Sequence, residues 1–249
     1  MGTCFLTGAS SGIGRSLARR LAREGWAMAL VARREELLDS LVGEIESEGG
    51  RALAIPCDVT DRAAVRAAVA SAEAGLGPIA LLVANAGGAE AGTSSATEFR
   101  AEVFSETYAQ NVAGVLYCVE AVLPGMRDRG EGHLVATSSL AGELGLPNAG
   151  PYSSAKAALT RMMESLRVEL RGTGVDVTIL VPGFIRTRPG GKASRPFVLE
   201  LEDATARIHR AIARRLPVFV FPWTLAWGIR LARALPARVR DRLLRATVS

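Results

Sequence analysis

The chain alternates short apolar runs with longer amphipathic stretches. Residues 3–7, 27–32, 52–56, 79–84, 132–137, 176–181 and 218–221 are apolar runs bounded by turn signals, and they read as strands. They are continuous rather than alternating, the pattern of strands covered by helices on both faces. Between them, residues 14–24, 34–48, 62–74, 99–129, 152–171 and 203–216 place apolar side chains at helical spacing. This alternation predicts an α/β fold: one doubly wound parallel sheet of about seven strands, with right-handed crossovers and helices on both faces. No internal repeat, low-complexity tract or linker divides the chain, so residues 1–249 are expected to form a single domain. Within it, 184–216 is expected to form a lid and 222–249 a helical tail. Ligands of such sheets bind beyond the carboxyl ends of the strands.

Charge refines this picture by where it falls. The chain carries 30 Lys and Arg against 25 Asp and Glu, a net charge of +5. Residues 207–249 hold ten Arg and one acid, Asp241, whereas residues 1–206 hold 20 basic and 24 acidic residues. The body is mildly acidic and the basic excess belongs to the tail, which argues against nucleic acid as a partner. No uncharged apolar run reaches the roughly 18 residues of a membrane span; 217–229 comes nearest and is broken by Pro222. No signal peptide precedes the first strand, and a cytoplasmic location is expected. Cys4, Cys57 and Cys118 lack ligand spacing and read as small core residues in a reducing compartment. With only His133 and His209, no metal site is expected.

The first strand runs into Thr7-Gly8-Ala9-Ser10-Ser11-Gly12-Ile13-Gly14 and then a helix. Glycines there permit a tight turn and a close approach to a pyrophosphate, and the helix N-terminus offers N–H groups to phosphate oxygens. The TGxxxGIG spacing resembles the glycine motif of the short-chain dehydrogenase/reductase family, whose fold is of the Rossmann type. The resemblance covers roughly residues 3–190. It implies a nicotinamide dinucleotide held by Gly8, Ser10, Ser11, Gly12, Ile13 and Gly14.

The second strand ends in Ala32-Arg33-Arg34, with no carboxylate before Glu35. An acid at that place accepts hydrogen bonds from the adenosine ribose and repels a 2′-phosphate, and an arginine does the reverse. Arg33 reads as the phosphate clamp and Arg34 as its helper, so NADP(H) is preferred, with NAD(H) open. The competing reading makes both arginines solvated residues of a helix start. Asp58, followed by Val59, resembles the family's adenine-contacting Asp. Asp58 or Thr60 also suits the N-cap of the helix near Asp61.

Tyr152 and Lys156 stand four apart on a helix and so share a face. A cation beside a phenol stabilises the phenolate and lowers the tyrosine pKa, which makes Tyr152 a general acid for a ketone or a base for an alcohol. Only two of the 30 basic residues are Lys, so a surface-charge role at 156 would more readily have been filled by Arg. The resemblance assigns the catalytic serine to Ser139, with its neighbour Ser138 the lesser candidate. It assigns Asn111 to a water-linked relay from Lys156 to solvent. It places Asn85-Ala86-Gly87 at the ribose side, and Pro182, Gly183 and Thr187 beside the nicotinamide.

The implied chemistry is NADP(H)-dependent hydride transfer to or from a carbonyl or secondary-alcohol substrate. A dinucleotide sensor or scaffold on the same fold is the alternative, and the complete Asn111, Ser139, Tyr152 and Lys156 set argues against it. In the expected lid, Phe184, Ile185, Phe197, Val198 and Leu199 stand among Arg186, Arg188, Lys192 and Arg195, with Gly190-Gly191 as a possible hinge. The tail departs from the family pattern: Leu225, Ile229, Ala232 and Leu235 share a helical face away from Arg230 and Arg233, and a second short helix starts at Pro236. A basic helix with Trp223 and Trp227 suits either an anionic membrane surface or a dimerisation or lid-packing role with a solvated Arg face, and a homodimer or homotetramer is expected.

Overall fold

All seven apolar runs become strands of one sheet. In the computed structural model, which describes residues 1–89, 92–187 and 197–246, the chain runs β1 (Thr3–Thr7), α1 (Gly12–Arg23), β2 (Ala27–Ala32), α2 (Glu35–Ser47), β3 (Arg51–Pro56), α3 (Arg62–Leu76) and β4 (Ile79–Ala84). It continues through α4 (Ala101–Tyr108), α5 (Gly114–Arg129), β5 (Gly132–Thr137), α6 (Gly150–Glu169) and β6 (Val175–Pro182). The two-residue strands β7 (Ile185–Arg186) and β8 (Leu199–Glu200) precede α7 (Leu201–Ala213), β9 (Val218–Phe221), α8 (Trp223–Ala234) and α9 (Ala237–Ala246). The sheet order is β3-β2-β1-β4-β5-β6-β9, and every pairing within it is parallel. The order reverses between β1 and β4, which opens a crevice at their carboxyl ends.

Continuous apolar strands serve two cores at once. Cys4, Leu6, Met28, Leu30, Leu81 and Val83 face one side, where they meet Leu17 and Leu21 of α1, Leu38 and Leu41 of α2, and Ile208 of α7. Phe5, Ala29, Val31, Leu82 and Ala84 face the other, against Val65 of α3, Val119 of α5 and Leu159 of α6. Successive residues thus point to opposite faces, and both faces are dry. The exceptions are the edge strands, β3 with Arg51 and Pro56 exposed and β9 with Val218 exposed. The three cysteines are buried and free of disulfides.

Three local expectations are corrected. The helix predicted over 99–129 starts later, at Ala101, and runs unbroken to Arg129 with a wider π turn at Ala109–Ala113 joining α4 and α5; Phe99 stands outside, exposed. Asn111 sits in that turn, and its amide Nδ2 donates to the Thr107 carbonyl four residues back, where its side chain competes with the helical ladder. The cap of α3 is Asp61, whose Oδ1 accepts from the N–H groups of Ala63 (2.8 Å) and Ala64 (3.0 Å); Asp58 instead folds onto Thr60. Within the expected lid, α7 buries Ala204, Thr205, Ile208, Ala211 and Ile212, which makes this part framework. Arg188, Gly190, Gly191, Lys192 and Arg195 lie outside the described residues.

The tail forms its two helices, but only part of the predicted face is covered. Ala226 is buried, and Leu225 and Ile229 pack on the core, whereas Leu235 is exposed. Among the described residues no helix is long and apolar enough to cross a membrane.

Candidate active site

The site begins where β1 meets α1. Gly8 (φ 71°) and Gly12 (φ 53°) adopt left-handed backbone, which a side chain would strain. A Cβ on Gly14 would lie 2.1 Å from the Gly8 carbonyl oxygen, so only glycine lets α1 start this close to the strand. The Thr7 hydroxyl accepts from the N–H groups of Asn85 and Ala86, both at 3.0 Å, and pins the end of β4 to the end of β1. The result is a cleft of about 960 Å³ at the reversal of strand order. Gly8, Ser10, Ser11, Gly12 and Ile13 line it from the turn, Arg33 and Arg34 from the end of β2, and Asp58 and Val59 from beyond β3. Asn85, Ala86 and Gly87 follow β4, Ser139 follows β5, Tyr152 and Lys156 stand on α6, and Pro182, Gly183 and Thr187 follow β6. This elongated cradle would suit a phosphate-bearing ligand, and the bare glycines Gly8, Gly12, Gly87 and Gly183 open its floor; a Cβ on Gly12 or Gly183 would press on Thr187 or on Pro222 and Leu225.

Two predicted residues, Gly14 and Asn111, stand behind the lining rather than in it. Asn111 is fully buried: Nδ2 also donates to the Gly88 carbonyl (2.8 Å), and Oδ1 accepts from the Gly88 N–H (3.1 Å). A Cβ on Gly87 would sit 2.6 Å from Asn111 Oδ1 and 3.5 Å from Lys156 Nζ, so these three residues are immediate neighbours. Lys156 Nζ donates to the Thr137 carbonyl at 2.8 Å and lies 5.7 Å from the centre of the Tyr152 ring. The two serines divide their work. Ser138 is buried, donating to the Lys156 carbonyl and bonding the Thr160 hydroxyl, which fastens β5 to α6. Ser139 faces the cleft and hydrogen-bonds Tyr152.

The arginines also separate. Arg34 Nη2 donates to the hydroxyls of Ser10 (2.9 Å) and Ser11 (3.2 Å), bridging the end of β2 to the glycine turn. Arg33 lies near Asp58, whose carboxyl is held below its usual range by the Thr60 N–H, by the Thr60 hydroxyl and by the Arg33 charge. Cys57, Glu106 and Gln110, which no motif pointed to, also line the cleft, as does Ile185 of the expected lid. Glu106 and Gln110 are one helical turn apart, the only signal that they share a face.

A family model described as short chain dehydrogenase matches residues 3–195. The chain belongs to the short chain dehydrogenase family. It is 40% identical over 245 residues to an uncharacterized oxidoreductase of Myxococcus xanthus, covering 98% of this chain and 96% of that one. A short chain dehydrogenase/reductase of Burkholderia phymatum in complex with NAD superposes with a TM-score of 0.85 at 26% identity, covering 93% and 92% of the two chains. An alcohol dehydrogenase of the archaeon Thermococcus sibiricus, complexed with 5-hydroxy-NADP, gives 0.76 at 28% identity over 86% and 91%. The seven-stranded parallel sheet is therefore that of an oxidoreductase family with NAD- and NADP-bound members.

In this short chain dehydrogenase the site's electrostatics are set by burial. Desolvation pulls the Lys156 ammonium down to about 8 from its ordinary 10.5. Burial pushes the Tyr152 phenol up, and the hydrogen bond with Ser139 works against it. The lowering of Tyr152 by Lys156 expected from the pattern is therefore corrected: in the structure burial outweighs the Ser139 hydrogen bond and the phenol stands above its ordinary value.

Proposed function

We propose that this short chain dehydrogenase is an NADP(H)-dependent oxidoreductase acting on a carbonyl or secondary-alcohol substrate, and reducing carbonyls in the cell. The observation that carries the reading is the meeting of the Ser139 hydroxyl, the Tyr152 phenol and the Lys156 ammonium at one end of the cleft, beside Gly183 and Thr187. The nicotinamide supplies or accepts the hydride when bound. The protein's part is orientation and the proton. Ser139 hydrogen-bonds the substrate oxygen and Tyr152, Tyr152 gives its phenolic proton to that oxygen in reduction, and Lys156 stabilises the phenolate left behind. Asn111 holds the π turn and the Gly88 backbone that back the lysine. At the other end, Gly8, Ser10, Ser11, Gly12, Ile13 and Gly14 form the pyrophosphate turn, and Asp58, Val59, Asn85, Ala86 and Gly87 flank the adenosine side. Arg34, held by Ser10 and Ser11, and Arg33 present two guanidinium groups to a 2′-phosphate, which is why NADP(H) is preferred.

The test is an NADPH-oxidation screen over ketones, quinones, ketosteroids, 3-ketoacyl thioesters and long-chain ketones, repeated with Tyr152→Phe on the best substrate. Tyr152→Phe is expected to keep NADPH binding, read by fluorescence, and to lose at least about 100-fold in kcat. Tight NADPH binding with no turnover of any substrate would point to a sensor. Full turnover by Tyr152→Phe would remove the proton-donor role.

A further inference from the structure

The tail helices carry apolar side chains on a face the fold leaves open. In α8, Ala226 is buried and Leu225 and Ile229 pack on the core, which accounts for one side of the helix. The other side presents Trp223, Trp227 and Leu231 at i, i+4 and i+8, and they are 68%, 56% and 65% exposed. In α9, Val239 and Leu243 form a second exposed pair at i, i+4. A helix apolar on two sides, one of them facing water, is unusual for a surface element and marks an interaction site.

The charge around these rows selects the partner. Between residues 223 and 246 there are six arginines, Arg230, Arg233, Arg238, Arg240, Arg242 and Arg245, against the single acid Asp241. Arg230 lies over the Trp227 ring, 5.8 Å from its centre, which keeps cation and indole together at one level. A two-fold contact with a second copy would set this basic face against itself with only Glu143, beside Arg233, and Asp241, beside Arg240, to relieve it. An anionic lipid surface meets both halves of the pattern: tryptophan and leucine enter the headgroup boundary, and the arginines stay at the phosphates.

We infer that the outer face of α8 and α9 docks this protein on anionic lipid, with Trp223, Trp227 and Leu231 inserted and the arginines holding the headgroups. The inner side of the same helix adjoins the cleft, where Pro222 and Leu225 at the start of α8 stand against Gly183.

Cosedimentation of the full-length protein decides the matter, with vesicles of phosphatidylcholine alone and of phosphatidylcholine mixed with phosphatidylglycerol. The expected result is binding to the mixed vesicles only, released by high salt. The exposed-position variant Trp223→Ser/Trp227→Ser/Leu231→Ser should bind about tenfold or more weakly while its Tm stays unchanged. Arg238→Glu/Arg242→Glu should likewise lose binding. Failure of the full-length protein to bind the anionic vesicles, equal binding to neutral ones, or unchanged binding by the triple variant would each overturn the inference. So would a dimer in size-exclusion chromatography that the triple variant converts to monomer without any vesicle binding. None of these readouts depends on turnover.

Discussion

Replacing Lys156 by methionine should make this protein more stable at neutral pH while abolishing its activity. Burial lowers the ammonium from 10.5 to about 8. At 1.36 kcal/mol per pH unit, holding the charged form inside costs about 3 kcal/mol. The sign follows from proton counts. Below pH 8 the lysine is protonated both folded and unfolded, and the full cost is present. Between pH 8 and 10.5 the unfolded chain binds the proton and the folded chain does not, so stability rises with pH across that window. Methionine has similar length and no charge, but it forfeits the 2.8 Å donation from the ammonium to the Thr137 carbonyl, worth about 2 kcal/mol for a charged donor. The balance is a stabilisation of about 1 kcal/mol at pH 7, or about 2–4 °C in Tm for a chain of this size. Thermal and urea denaturation of the cofactor-free protein at pH 7 and pH 10 measures it, with NADPH oxidation run in parallel. The gain should shrink at pH 10, where the wild type has shed its proton. A Lys156→Met protein less stable than wild type at pH 7, or a difference independent of pH, would refute the desolvation argument.

Two further outcomes follow from charges placed away from the proton donor. Arg34→Ala should weaken NADPH binding by about 10- to 100-fold and NADH binding little, and Arg33→Ala should act in the same direction; equal losses for the two cofactors in titration calorimetry would remove the 2′-phosphate contact. His133 is buried at the base of β5, where desolvation, with help from Arg215 and against Asp176, pushes it down to about 4, and its Nε2 bonds the Thr178 hydroxyl at 2.8 Å. The unfolded chain takes up that proton near pH 6.5, so wild type should lose about 3 kcal/mol of stability as pH falls from 6.5 to 4; His133→Asn should lack this part of the slope in urea denaturation, and parallel curves would contradict it.

The sheet was legible because its strands are buried on both sides: a run such as Ile79–Ala84 has no polar residue to confuse the reading. The cleft was legible because a glycine turn and a Tyr–Lys pair are local patterns. What escaped depends on contacts distant in sequence. The π turn carries Asn111, which bonds Gly88, 23 residues earlier, and no helical periodicity carries that information. In 184–216 the apolar residues Ile208, Ala211 and Ile212 have the same spacing whether they meet a substrate or α1, and only the fold shows that they meet α1. In α8 two apolar sides compete, and the wheel does not say which faces inward; the strand β9 and Gly183 settle it through Leu225. Arg33 and Arg34 differ only in the direction each leaves the end of β2.

The features that resisted the local rules are gathered at one place. A lone buried lysine, a helix widened by an asparagine, a glycine where any Cβ would strike Asn111, and a phenol whose ionisation burial opposes are each unfavourable choices for a stable fold. They touch one another: Gly87 admits Asn111 and Lys156, and Lys156 lies under Tyr152. The same dry surroundings that raise the cost of the ammonium also strengthen its attraction for a phenolate, since a charge screened by water would act weakly at this range. Burial pushes the Tyr152 phenol up directly, and the hydrogen bond with Ser139 is what works against it. A site built this way needs a stable frame elsewhere, and the two cores flanking the sheet provide it.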